Sequence, residues 1–516
     1  MKTTKRLSLT LSSAAAAAAI VLAGCGDDGG GGGGGDLAAL VPAGAPVYVE
    51  GSIRPEGDLK TNTEAAIEAV SGIEDPGTRL VDLIDQGLAE DSDLTYAEDI
   101  EPWLGERGAI AVTSFTDDEA FALIAETTDS GAAEDFVAKV AETEEDVREA
   151  SYEGTDYRVD DEGFAIGLVD DFLVGAPEGI FKQVIDSSGG DSLSDDSAFS
   201  ETLDAASESS LVDVYVNIED AVKAAGDKVD PASLQALQSA VGDLSGKTAL
   251  ASVIPSGEKV ELDVSTNLEA PFEPADVSGL LDSLPADAWA VLGFANLGDA
   301  IDQGLQQAEA TGVPLQLVEE QLREIGVDLQ RDILSWPEDF ALFAAGTDLS
   351  TLSGAAIITS SDPAASRRAV EKLTAAALRE GEPGVKRLSV PGGAGLEVRD
   401  PEELGPKPLQ LVATGDRVVL SYGEAARQAA LDGGGSTLSD SDSYREATDA
   451  LGDGVELSGY LSVAPVLELA DALGAGDDSD YEQAKPYLER LSYVVFGSGT
   501  DGDLATSKVV VGLQGE

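Results

Sequence analysis

Short runs of alternating apolar and polar residues recur along the chain, separated by segments with helical spacing. "LVPAGAPVYVEG" (Leu40 to Gly51) predicts an opening strand, and Gly108 to Ser114 and Ala120 to Glu126 predict a strand pair. Another strand pair brackets "DYRVDDEGFAIGLVDDFLVGA", and strands follow at Val212 to Ile218, Thr248 to Ile254 and Val260 to Ser265. A helix-compatible segment covers Thr63 to Gln86. A second helix begins after Asp129, where "SGAAEDFVAKVAE" sets Phe136, Val137 and Val140 on one face. Further helices are predicted near Pro177 to Asp186 and Ser197 to Ser207. Hairpins outnumber any strand-helix-strand rhythm, so the pattern predicts an α+β fold with largely antiparallel sheet and packed helices.

The same pattern is written twice. "SLPADAWAVLGF" (Ser283 to Phe294) echoes the opening strand, and "DIEPWLGERGAIAV" from Asp99 returns as "DILSWPEDFALFAA" from Asp332. "SLSDDSAFSETLDA" (Ser192 to Ala205) returns as "TLSDSDSYREATDA" (Thr437 to Ala450), and "LVDVYVNI" from Leu211 resembles "LSGYLSVA" from Leu457. Four echoes in one order predict a tandem duplication, with repeats at 37–274 and 275–516 joined near the loop-like Asn267 to Asp276. The second copy is expected to contain a helix-compatible segment from Ala300 to Glu324, a helix capped by Asp362-Pro363, and a final hairpin of Leu491 to Phe496 with Ser507 to Leu513.

Offsets between the copies run 243, then 233, then 245. The first copy therefore has ten extra residues before its Asp-Ile-x-x-Trp stretch. The second has twelve extra after it, expected in the hairpin "SVPGGAGLEVRDPEELGPKP". The offset of 233 also relates Asp129 to Asp362 and Lys139 to Lys372.

Within the repeated stretch, Asp99 and Asp332 stand like turn or helix-cap residues. Ile100, Trp103, Ile333 and Trp336 read as apolar anchors ahead of a core strand. A catalytic role would need a nucleophile or base that recurs beside them, and none is evident.

The N-terminus carries an address. Lys2, Lys5 and Arg6 precede an Ala-rich apolar stretch ending in "LAGC", which resembles the lipobox of bacterial lipoproteins. This predicts a signal peptide over 1–24 and a lipid-bearing Cys25. The glycine-rich 25–36 then forms a tether with a reach of roughly 20 Å. The expected location is the extracytoplasmic face of a cell membrane, held through lipid on Cys25.

Composition narrows the chemistry. After cleavage 28 basic residues face 98 acidic ones, a formal charge of −70 that disfavours nucleic acid as a partner. Histidine is absent, the only methionine is Met1 and the only cysteine is Cys25. Thiolate and Ser-His-Asp nucleophiles, Cys/His zinc sites and haem ligation by His, Met or Cys are excluded, and no cofactor is expected.

Several near-motifs fail on context. "GSGTDG" (Gly497 to Gly502) leads into a strand where a dinucleotide site needs a helix, and "GDLSGKT" (Gly242 to Thr248) is one residue short of a phosphate loop. "SGEK" (Ser256 to Lys259) lies between two strands, where a β-turn is expected and not a Ser-Lys catalytic pair. "DDSDYEQAKPYLE" from Asp477 lacks the glycine of a calcium-binding EF-hand.

The opening strand, the "DIEPWLG" stretch and the two-copy layout behind a lipobox resemble a family of secreted bacterial lipoproteins known as domain of unknown function 3352. The second copy departs from it, since "DILSWPED" lacks the Pro before Trp and the Leu-Gly after it. The resemblance implies location and fold and no activity. Three readings stay open: a non-catalytic envelope protein that binds a protein, glycan or lipid or serves a structural role; a solute- or lipid-binding lipoprotein serving a transporter; and a carboxylate-dependent hydrolase. The first is preferred, and no catalytic or metal-binding residue is named.

Overall fold

The computed structural model describes residues 36–514 apart from 116–119, 144–145, 208, 227–233, 235–237, 239–241, 269–275, 311–314, 382 and 433–434. The expected signal peptide, Cys25, the tether before Asp36 and the junction at Pro274/Ala275 lie outside the described residues. The chain divides into two compact units, one running to Glu269 and taking in Asp501–Ala505, the other Ala270–Thr500 with Thr506–Gln514.

Among the described residues the first unit is built on ten strands: β1 (Val47–Ser52), β2 (Leu104–Val112), β3 (Phe121–Thr127), β4 (Arg148–Tyr152), β5 (Thr155–Val159), β6 (Phe164–Val169), β7 (Phe172–Pro177), β8 (Val212–Asn217), β9 (Thr248–Pro255) and β10 (Lys259–Thr266). Their antiparallel pairings give the order β4-β5-β6-β7-β3-β2-β1-β8-β9-β10. The helices used below are α1 (Gly57–Ser71), α2 (Pro76–Asp91), α3 (Ser130–Thr143), α4 (Glu178–Ser188) and α5 (Ser197–Leu203).

The second unit follows the same plan. Its strands are β11 (Ala288–Phe294), β12 (Pro337–Ala345), β13 (Ser353–Ser360), β14 (Val385–Arg387), β15 (Ala394–Val398), β16 (Leu409–Thr414), β17 (Arg417–Tyr422), β18 (Val455–Ser462), β19 (Leu491–Asp501) and β20 (Leu504–Leu513). They pair in the order β14-β15-β16-β17-β13-β12-β11-β18-β19-β20, the order of the first unit shifted by ten strand numbers. Its corresponding helices are α6 (Leu297–Ala310), α7 (Leu315–Glu324), α8 (Pro363–Glu380), α9 (Glu424–Asp432) and α10 (Asp442–Leu451). Register repeats as well: Ile124 faces Val174 as Ile357 faces Val419, and Gly167 faces Val174 as Val412 faces Val419.

Each sheet has apolar side chains packed on both of its faces, but the cover is incomplete over β11 and β12, where Leu292, Phe294 and Leu342 are exposed. In the first unit one core joins Tyr48, Ile124 and Val174 to Phe181 of α4 and Phe199 of α5. The other joins Ile53, Leu104 and Ile166 to Trp103 and Val137 of α3. In the second, Phe343, Ile357 and Val419 meet Ala426 of α9 and Tyr444 of α10, while Trp336, Ala413 and Val418 meet Val370 of α8.

Two helix expectations need correction. Thr63 to Gln86 is not continuous. Gly72 leaves α1 in the left-handed region (φ 69°), and Asp75 caps a new helix that starts on Pro76 and accepts from Thr78 N–H at 3.1 Å. Glycine ahead of Asp-Pro was a stop and restart signal inside an otherwise periodic segment. Ala300 to Glu324 likewise divides into α6 and α7.

The length differences fall as the offsets require. Helices α1 and α2 have 15 and 16 residues, against 14 and 10 in α6 and α7. The connections flanking β15 span 388–393 and 399–408, whereas those flanking β5 span 153–154 and 160–163.

Candidate functional site

The repeated Asp-Ile-x-x-Trp stretch forms a wide turn in each unit. Thr95 heads the first, and Glu101 N–H reaches back five residues to the Tyr96 carbonyl at 2.8 Å. A carboxylate at the fourth position beyond the turn's head closes it. Thr95 N–H donates to Asp99 Oδ2 at 2.8 Å, and Asp328 N–H donates to Asp332 Oδ2 at 2.8 Å. An ordinary capping box uses the third position; the wider turn moves the reciprocal bond one residue along. Trp103 Nε1 donates to the Asp99 carbonyl at 2.7 Å, and Trp336 Nε1 to the Asp332 carbonyl at 2.8 Å. The Trp carbonyls in turn accept from Thr128 N–H at 2.8 Å and Ser361 N–H at 3.0 Å, just ahead of Asp129 and Asp362, which cap α3 and α8.

A recurring partner does exist, contrary to expectation. Lys139 on α3 donates to Asp99, and Lys372 on α8 donates to Asp332 at 2.5 Å, each from forty residues downstream. Burial pushes both carboxyls up. The Lys hydrogen bond and the backbone N–H more than offset it, with Arg331 adding to the effect at Asp332, so both titrate below the usual range. A carboxylate held in that state is a poor base, and Lys139 is likewise raised by its Asp99 bond. The arrangement fastens a turn to a helix. Ile100 and Trp103 are fully buried and Trp336 nearly so, while Ile333 is only half-buried.

The near-motifs resolve as turns. Ser256 N–H donates to the Lys259 carbonyl at 2.8 Å and Lys259 N–H to Ser256 Oγ at 3.1 Å, closing the β9–β10 hairpin. The Gly497 to Gly502 string runs along β19 into its hairpin turn, with Gly502 at φ 57°. Gly246, at φ 66°, belongs to the turn entering β9.

No carboxylate pair stands out in the sequence, yet the register sets Glu50 directly across from Asp213. Burial raises Glu50, against the lowering effect of Tyr48 and Arg107. Tyr48 Oη donates to Glu50 Oε2 at 2.5 Å and Arg107 lies 2.8 Å from Oε1, while Ser210 and Ser252 each donate to Asp213 at 2.5 Å. Only strand register could have disclosed this pair, because the two acids are far apart in the chain.

The first unit also keeps a groove of about 980 Å³ between α3 and the flanking strands β4, β5 and β6. Its charged lining is Glu134 and Asp135 of α3 with Glu149, Asp156, Arg158 and Asp170 from the strand side, five acids and one base. Arg158 pairs with Glu149 at 3.0 Å. In the second unit the register puts Ala394 where Asp156 stands and Leu396 where Arg158 stands. There α8 packs directly on β14, β15 and β16.

The offset of 233 sets Arg367 and Arg368 of α8 opposite Glu134 and Asp135 of α3. Arg367 Nη1 donates to the Gly392 carbonyl of the β14–β15 connection at 3.4 Å. In one copy α8 packs over this place and its exposed Arg367 reaches the adjoining connection, and in the other the place stays open and acidic.

Among the described residues no group of three or more acids forms a metal cage, and no helix is long and apolar enough to cross a membrane. No curated protein matches the chain. Two crystal forms of TP0453 are similar at 10% and 9% identity, covering 48% and 45% of this chain and 82% and 80% of theirs, with TM-scores of 0.25 and 0.24. A likeness of that degree carries no argument here. The motifs of the opening strand and first Trp turn meet a firmer counterpart: the family described as "Protein of unknown function (DUF3352)" matches residues 8–470, and the chain belongs to it.

Proposed function

We propose that this protein is a membrane-anchored, extracytoplasmic lipoprotein with a non-catalytic binding role, and that the groove of its first unit is the binding surface. The observation that carries the reading is the contrast between the copies: a polar groove of about 980 Å³ stays open beside α3, where α8 packs onto the matching strands. Duplicated units diverge freely at surface positions, and a concavity retained in one copy is where a partner fits. The polar, open lining favours a protein or glycan over a lipid, which would need an apolar enclosure. The hydrolase alternative would centre on Glu50 and Asp213, whose carboxylates are already engaged by Tyr48, Arg107, Ser210 and Ser252.

The anchor rests on the "LAGC" sequence. Cys25→Ala should remove the acyl mass and release the protein from the membrane fraction; unchanged partitioning would end the lipoprotein reading. Binding is tested by placing a photo-crosslinking side chain at exposed Ser151 in the groove and, as a control, at exposed Glu446. In native membranes Ser151 should give a discrete adduct that Glu446 does not. Equal labelling, or none, would count against a groove-centred function.

A further inference from the structure

We infer that the groove of the first unit receives an extended basic peptide segment, with a Lys or Arg side chain taking the place that Arg367 fills in the second unit. This rests on the binding reading. The charge of the wall is a local choice and not only a consequence of an acidic chain. At the same two helix positions one copy has Glu134 and Asp135 and the other Arg367 and Arg368. Across from them the strands change in step, Asp156 and Arg158 standing where the second unit has Ala394 and Leu396. Where the helix is basic it reaches the Gly392 carbonyl and the strand face is apolar and covered. Where the helix is acidic the strand face is polar and uncovered.

Charge complementarity therefore asks for a cation from outside. Among the charged lining groups, Arg158 is the single base, and it is engaged by Glu149. The shape favours an extended segment. Among the described residues β4 pairs with β5 alone, which leaves its other side as a sheet margin, and Glu149, Ala150 and Ser151 of β4 line the groove. An extended chain lying along such a margin meets backbone groups with its own backbone and side-chain pockets with alternate residues. Complementary charge then sets partner choice and encounter rate.

The test uses the full mature lipoprotein in detergent, with a fluorescein-labelled (Lys-Thr)4 peptide and a (Glu-Thr)4 counterpart, followed by anisotropy at physiological salt. The basic peptide should bind and the acidic one should not. Glu134→Arg with Asp135→Arg, which copies the second unit, should weaken binding at least tenfold. Glu446→Arg with Asp449→Arg on α10 makes the same change in net charge and should leave affinity within about twofold. Glu134→Gln with Asp135→Asn, a milder change at exposed positions, should give an intermediate loss. Equal losses from the α3 and α10 pairs would reduce the interaction to bulk charge and overturn the inference. A discrete Ser151 photoadduct without α3-dependent peptide binding would overturn the basic-peptide assignment while leaving the binding reading intact. Loss of both would remove both.

Discussion

Lys372 closes on the buried carboxylate of Asp332 at 2.5 Å, and Lys139 closes on Asp99 in the same way, so each long helix is pinned to the turn that precedes its unit's second strand. The carboxylates are almost fully buried, whereas the lysines are partly exposed, 52% for Lys139 and 34% for Lys372. Removing Lys139 leaves the buried Asp99 charge with its backbone N–H bond alone, whereas Asp332 without Lys372 keeps its backbone N–H bond and Arg331. Lys372→Met and Lys139→Met should each lower the urea midpoint, because a buried carboxylate loses its charged partner. Lys372→Met should cost less, because Arg331 also approaches Asp332, at 3.4 Å. Urea unfolding followed by tryptophan fluorescence measures both, and midpoints equal to the parent's would show that the clamp contributes nothing.

The same clamps set a direction for pH dependence. Asp99, Asp332 and Glu397 all titrate below their ordinary values when folded; burial raises Glu397, and bonds from Arg399, Lys386 and Gln410 more than reverse it, to about 2. A lowered folded value gives stability present above the unfolded carboxylate range, near 4, and lost as pH falls through the folded value. Unfolding midpoints should therefore drop steeply below about pH 4, and Glu397→Gln should flatten that slope.

Glu50 runs the other way. Its folded value is raised, so its contribution is full below the unfolded value and is lost as pH rises through the folded one. Glu50→Gln should gain stability relative to the parent between about pH 4 and pH 7. A constant difference across that range would contradict the burial argument.

Gly105 explains the Leu-Gly that the second Trp stretch lacks. β2 carries a register shift between Leu104 and Gly108, and a Cβ at Gly105 would lie 2.8 Å from Glu126 Cβ and 2.9 Å from its carbonyl oxygen. The second unit has a smaller shift near the start of β12, between Pro337 and Phe340, and the offset of 233 sets Glu338 against Gly105. Gly105→Ala should cost about 1–3 kcal/mol through overpacking against backbone. Glu338→Ala, where a side chain is already accommodated, should cost under about 0.5 kcal/mol. Similar losses at the two sites would refute the close-approach account.

Much of this fold is legible in the chain because duplication prints each element twice. Asp129 with Asp362 and Lys139 with Lys372 stand out by their common offset, and the caps of α3 and α8 follow directly. What the offset could not reveal is that Lys139 turns back to Asp99, since a forty-residue separation says nothing about distance in space. The Glu50–Asp213 pair is hidden for the same reason. The groove is encoded as a charge inversion between Glu134-Asp135 and Arg367-Arg368, but it becomes visible only when strand register aligns Asp156 with Ala394 and Arg158 with Leu396. Sequence echoes draw attention to what the copies share, and here the informative positions are those where they differ.

The two tryptophans should differ for a related reason. Trp103 packs on Phe136 with ring centroids 5.1 Å apart and an interplanar angle of 37°, while the matching position on α8 is Ala369. Both indole N–H groups donate to the preceding Asp carbonyl, so that bond cancels in a comparison. The aromatic contact does not. Trp103→Leu should therefore destabilise more than Trp336→Leu, and a double-mutant cycle of Trp103→Leu with Phe136→Leu should return a coupling of about 0.5–1.5 kcal/mol. The parallel cycle of Trp336→Leu with Ala369→Gly tests packing without a ring and should stay below about 0.5 kcal/mol. Urea unfolding at one pH suffices, provided each variant keeps the parent's denaturant slope. Equal couplings in the two units would mean that Phe136 adds no more to the first Trp turn than Ala369 adds to the second.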